Sequence, residues 1–145
     1  MPLGLEALGD TGVVSEIPVG KQMTVFEAVG GQRFFDELGA SFYRRVADDQ
    51  VLLRLYPDPA DLAPAARRLA LFLGQYWGGP QTYSEERGHP RLRMRHFPFE
   101  IGPTERDHWM TAMTGALDEL QVHPIVRDKF DAYFTSTAEA MRNRD

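Results

Sequence analysis

The spacing of apolar residues limits the possible folds more than any other feature of this chain. In "QRFFDELGASFYRRVADD", Phe35, Leu38, Phe42 and Val46 recur at intervals of three and four, the repeat of one face of an α-helix. The spacing returns in Ala65, Leu69, Phe72, Leu73 and Tyr76. It returns again in Trp109, Met113, Ala116 and Leu120, and in Val126, Phe130, Tyr133, Thr137 and Met141. The period-two alternation of a half-buried strand is not found along the sequence. The expected fold class is all-α, with five or six helices.

Prolines and glycines mark where these helices stop. Gly30-Gly31 ends a short helix expected over residues 24–29. "YPDPADLAP" is a corner, and Gly78-Gly79-Pro80 closes the helix that begins near Pro64. Thr104 and Asp107 have capping-box spacing ahead of the Trp109 helix, and Pro124 opens the last one. Residues 1–23 hold Gly4, Gly9, Gly12, Gly20 and Pro18 with little periodicity. They are expected to form a flexible N-terminal extension, leaving residues 24–145 as one domain.

Composition narrows the function. A chain of 145 residues can bury about two-thirds of its unfolded surface, enough for a sizeable core. The formal net charge of -5 argues against nucleic acid as a partner, since such domains are basic. The sequence has no cysteine, which removes thiolate catalysis and Cys-ligated zinc or iron–sulfur centres. The longest strongly apolar run, Leu69 to Leu73, is far short of a membrane span. Glu6 and Asp10 precede the first Lys21, unlike a secretory signal. A cytoplasmic location is expected, and an oligomer remains possible.

Against this acidic background one stretch is basic: "RGHPRLRMRHFPF", residues 87–99, with Phe97 and Phe99 beside four arginines. Pro90 suits a first helical position and Pro98 disfavours helix at Phe97, so any helix here has about two turns. Leu92 and His96 are four apart and share a face; Arg91 and Arg95 lie one step round. His89 falls before the helix, where it faces solvent or caps the turn. Two readings of His96 stand side by side. It is either a partly buried histidine bonded to a backbone carbonyl, or a metal ligand. One histidine cannot hold a bare ion, but it suffices where a porphyrin supplies four nitrogens. Haem also carries carboxylates that arginines would pair with. Such a ligand needs an apolar slot, for which Phe72, Leu73, Tyr76, Trp109 and Met113 are candidates as readily as they are ordinary core.

The stretches "FEAVGG" (26–31), "FYRRVADD" (42–49), "YPDPADL" (56–62), "LALFLGQYWGGPQTYSEERGHPRLRMRHFPFEI" (69–101) and "ERDHWM" (105–110) resemble the truncated haemoglobins of group II, the O-type proteins of actinobacteria. The resemblance covers residues 24 to about 141, and its central stretch is highly specific. It implies a two-over-two α-helical sandwich around haem b, with the proximal histidine at His96. It places the family's distal tyrosines at Tyr43 and Tyr56, its tryptophan at Trp109, and the remaining distal positions at Ala65 and Leu69. The haem-contacting set it suggests is Arg68, Leu69, Phe72, Leu92, Arg93, Arg95, His96, Trp109 and Met113, with Arg68, Arg93 and Arg95 as partners for the propionates. The corner after Tyr56 carries one residue more than shorter members of the family do. No role in metal binding or catalysis is expected for His108 or His123.

The function the resemblance implies is binding of O₂, and of CO and NO, at a His-ligated haem iron. Tyr43, Tyr56 and Trp109 would stabilise the charge that bound O₂ acquires, because Ala65 and Leu69 offer no donor. Several donors imply slow release. Nitric oxide dioxygenation or peroxidase-like chemistry is the alternative. The former requires a reductase, and the chain has no G-x-G-x-x-G motif for a cofactor of its own. A haem-free helical adaptor is the third reading.

Overall fold

The computed structural model describes residues 23–145, and among these every regular element is a helix. Met23 apart, the expected extension over residues 1–23 lies outside the described residues. The helices are α1 (Val25–Ala28), α2 (Gln32–Ala47), α3 (Gln50–Leu53), α4 (Ala63–Tyr76), α5 (Thr82–Arg87), α6 (Leu92–His96), α7 (Pro103–Leu120) and α8 (Pro124–Ala140). The all-α expectation holds, with the number of helices increased by α3 and α5, which are too short to show a period. Asp49 starts α3 by accepting bonds from the amides of Val51 and Leu52 at 2.9 and 3.2 Å. Of the polar α5 only Tyr83 is buried.

Two starts differ from their expected positions. The Trp109 helix begins at Pro103, one residue before Thr104. Its acidic cap is Glu105, whose carboxylate accepts from the Gly102 amide at 2.8 Å; Thr104 and Asp107 are not used. Pro90 is not in α6 at all. That helix starts after Arg91, which has a left-handed backbone at φ 45°. At the other end of the domain, Thr24 and Glu27 form a reciprocal capping box at 3.1 Å each way. Gly30 and Gly31 turn the chain out of α1 with φ of 102° and 82°, a region that favours residues without a Cβ.

The long helices pack as pairs, α2 on α4 and α7 on α8, and α2 also lies on α7. Phe35, Leu38, Phe42 and Val46, the periodic residues of α2, are all buried. They meet a core that includes Phe130 and Phe134 of α8, with Trp77 just past α4. The Trp77 and Phe130 rings cross at 5.1 Å. Gly39 sets the approach of α4 to α2: a Cβ there would stand 2.9 Å from the carbonyl oxygen of Ala66. This close packing brings Tyr43, one turn further along α2, opposite the wall formed by α4.

Candidate functional site

A cavity of about 470 Å³ opens between these layers, within the usual range for small-molecule and cofactor sites. Its walls are largely aliphatic and aromatic: Phe42 from α2, Leu69, Phe72 and Leu73 from α4, Phe134 from α8, and Met141 just past its end. Polar groups enter at a few points. His96 is one of them, Tyr43 and Tyr56 are two more, and Arg68, Arg87 and Arg95 also reach the lining.

The chemistry of His96 follows from one hydrogen bond. Its Nδ1 lies 2.6 Å from the carbonyl oxygen of Leu92, one turn back in α6. A carbonyl only accepts, so Nδ1 carries the proton and donates. Burial lowers the pKa of the ring below the usual histidine range. Arg95 adds to this, against the opposing pull of the Leu92 carbonyl. The imidazole is therefore neutral at neutral pH, with a lone pair on Nε2, the state required of a metal ligand. The two readings left open by the sequence merge here, because a carbonyl-bonded histidine is also the form that ligates. The segment after His96 is fastened to the end of α8. Asn143 donates to the carbonyl of Phe99 at 2.7 Å and accepts from the Ile101 amide at 2.9 Å.

Tyr43 and Tyr56 meet elsewhere on the wall. The Tyr56 hydroxyl donates to the Tyr43 hydroxyl at 3.2 Å, and the rings cross edge to face at 5.5 Å. Burial raises both phenol pKa values, that of Tyr43 well above the normal range. The neighbouring Tyr56 raises Tyr43 further, while the Arg68 guanidinium pulls both the other way. Both hydroxyls stay protonated and act as donors. The pair uses one of the two protons between the oxygens and leaves the other O–H for a third partner. Trp109 is half-buried on the same cavity wall, tilted against Phe42 at 5.3 Å and Phe134 at 5.7 Å. Ala65 and Leu69 complete this side without a polar side chain.

The arginines divide. Arg68 lies at the lining with its head exposed. Arg95 lines the cavity too, with Nε on the Pro90 carbonyl at 2.6 Å and a terminal nitrogen on that of Arg87 at 3.1 Å. Arg93 does not line it and is exposed. Met113 is fully buried in the core, away from the lining. Tyr76 packs on Tyr133 at 4.4 Å instead of facing the cavity. His89 accepts from the Arg91 amide and caps the turn. His108 bonds Asp49 at 2.8 Å, and His123 caps α8.

Other wall residues carried no expectation of a site role. Arg87 and Phe99 lie inside the basic stretch. Tyr133, Thr137 and Met141 were legible only as a helical stripe, because periodicity cannot separate a face against core from one against a cavity.

Haem fits this donor set. Among the described residues there is no group of three or more His, Cys, Asp or Glu able to hold an ion. Any metal at His96 must bring its own equatorial ligands. A neutral imidazole at an apolar cavity with arginines at its edge matches a flat apolar group carrying an iron and carboxylates.

Residues 24–143 match the family model described as bacterial-like globin. The chain is 54% identical to the thermostable hemoglobin of the actinobacterium Thermobifida fusca, with TM-score 0.81, covering 83% of this chain and 98% of that one. It is 50% identical to the hemoglobin of the thermophilic phototroph Chloroflexus aurantiacus, with TM-score 0.81, covering 84% and 99%. It is 38% identical over 119 residues to group 2 truncated hemoglobin YjbI of Bacillus subtilis, 82% of this chain and 88% of that one.

Proposed function

From the premise that this chain belongs to the bacterial-like globins, and within them to the group II truncated haemoglobins, we propose that it binds haem b through His96. We propose further that it holds O₂, and also CO or NO, on the side lined by Tyr43, Tyr56 and Trp109, with slow release of O₂. The observation that carries the reading is the His96 imidazole, neutral, with Nδ1 committed to the Leu92 carbonyl and Nε2 available at the cavity.

When bound, the haem would supply a ferrous iron that takes up diatomic ligands. The chain's residues do the rest. The Leu92 carbonyl fixes the His96 tautomer and orientation. Arg68 and Arg95 neutralise carboxylates at the cavity edge, and Arg87 adds a third guanidinium there. Leu69, Phe72 and Phe134 exclude water. Tyr43, held by Tyr56, presents an O–H, and Trp109 an N–H, to a ligand that takes up negative charge. Donors oriented in advance in a water-poor site stabilise such charge more than solvent does. A carrier, store or sensor uses that retention directly. Both tyrosines stay protonated and neither serves as a base, which supports ligand binding ahead of peroxidase-like chemistry. Among the described residues no helix is long and apolar enough to cross a membrane.

The test is His96→Ala in the purified protein. The expected outcome is loss of the five-coordinate ferrous spectrum and weaker haem retention, with helix content by circular dichroism unchanged. A variant with an unaltered haem spectrum contradicts the assignment.

A further inference from the structure

Arg93, expected at a haem carboxylate, is outside the cavity wall, and its position draws attention to the other face of α6. Leu92, Arg95 and His96 line the cavity. Arg91, Arg93, Met94 and Phe97 face outward. Met94 is 60% exposed and Phe97 71%, the latter the greatest exposure among the large apolar side chains of the described residues. Arg93 and Phe97, four apart, are neighbours on that surface. Most arginines here are engaged: Arg33, Arg44, Arg54, Arg67, Arg106 and Arg127 each pair with a carboxylate. Arg91 and Arg93 pair with none among the described residues. A chain of net charge -5 thus presents two uncommitted guanidinium groups around two exposed apolar side chains, on the helix that carries His96.

We propose that this outer face of α6 docks an acidic electron-transfer protein that keeps the haem ferrous; the inference rests on the haem-binding reading above. An apolar centre with a charged rim suits a transient interface, and the arginines would steer an acidic partner to it. A second copy of the chain is a poor occupant, since a two-fold contact would set these arginines against themselves. A lipid surface is also disfavoured. The five residues of α6 are too few for a helix lying along a membrane, and the remaining surface is net acidic. Phe97 follows His96 directly, so a docked donor would stand beside the proposed iron ligand, and electron transfer depends steeply on distance. One electron passes from the donor's reduced cluster, which is oxidised, to the ferric haem, which is reduced. No atom or proton moves.

The probe is a plant-type two-iron ferredoxin, an acidic one-electron donor, with the haem-loaded full chain. Calorimetry with oxidised ferredoxin should show binding at low salt that disappears at high salt. Stopped-flow reduction of the ferric protein by reduced ferredoxin should show the same salt dependence. Arg91→Glu with Arg93→Glu should weaken binding and slow reduction at least about tenfold. Phe97→Ser should weaken binding as well, and Arg93→Lys should retain most of it. Reduction by dithionite and the haem spectrum should be unchanged in every variant. Equal ferredoxin binding by the charge-reversed protein would overturn the proposal. So would sedimentation with phosphatidylserine–phosphatidylcholine vesicles in the absence of ferredoxin binding. Loss of the haem spectrum in the parent protein would instead overturn the reading beneath it.

Discussion

The proposed function rests on three side chains: His96, Tyr43 and Trp109. In the proposed reading the tyrosine and the tryptophan, both on the cavity lining, each donate one proton to the bound ligand, and Tyr56 bonds the first of them at 3.2 Å. A hydrogen bond to a charged group contributes about 1.5–3 kcal/mol. Replacing Tyr43 and Trp109 together by Phe should therefore speed O₂ dissociation by roughly ten- to a hundredfold or more, while the aromatic packing is kept. Stopped-flow displacement of O₂ by CO measures this, and an unchanged off-rate would remove both residues from the distal role. At this scale the sequence was informative where a motif named a residue and silent where only exposure mattered. Arg93 and Arg95 look alike in "RLRMRH", yet Arg95 turns inward to the Pro90 carbonyl and Arg93 outward to solvent. Two residues along a short helix is enough to reverse the direction, and the left-handed Arg91 that sets the phase of α6 has no sequence signature.

The elements hold these side chains through two joints. The first is the contact of α2 with α4 at Gly39. Gly39→Val places new atoms against the Ala66 carbonyl, already only 2.9 Å from an added Cβ. Overpacking of this kind costs about 1–3 kcal/mol, which should appear as a lower denaturation midpoint and altered ligand off-rates, since Tyr43 and Leu69 lie on the separated helices. A midpoint equal to that of the parent would mean the helices part freely. The second joint is Asp49, which caps α3 and bonds His108 beside Trp109. Partial burial disfavours its charge, but the bonds from His108 and the Leu52 and Val51 amides prevail and hold its pKa below the ordinary value of 3.8. A depressed carboxylate pKa stabilises the fold at all pH values above the unfolded-state pKa, and the contribution fades as pH falls below it. The stability gap between the parent and Asp49→Ala should thus be constant near neutrality and close progressively below about pH 4. A gap that persists in acid would assign the effect to something other than the ionised cap. The long helices were legible from their apolar stripes. The joints were not, because Gly39 lies inside a helical pattern that glycine normally weakens, and Asp49 starts a helix of only four residues.

For the whole molecule, the pairs of α2 with α4 and α7 with α8 both contribute to the lining of one cavity of about 470 Å³. The two-over-two expectation is consistent with these pairings. The extent of the cavity was beyond the reach of the sequence, because its far wall comes from Tyr133, Phe134 and Thr137, near the end of the chain, on a stripe that periodicity alone reads as core. Visible absorption of the purified protein tests the account most directly, recorded in the ferric form, after reduction with dithionite, and with CO added. The account predicts a Soret band that shifts and sharpens with CO, the sign of haem held on one side by His96 and open to ligand on the other. A colourless protein that gains no such spectrum when hemin is added would contradict it, and the chain would then be a helical adaptor with a globin's architecture.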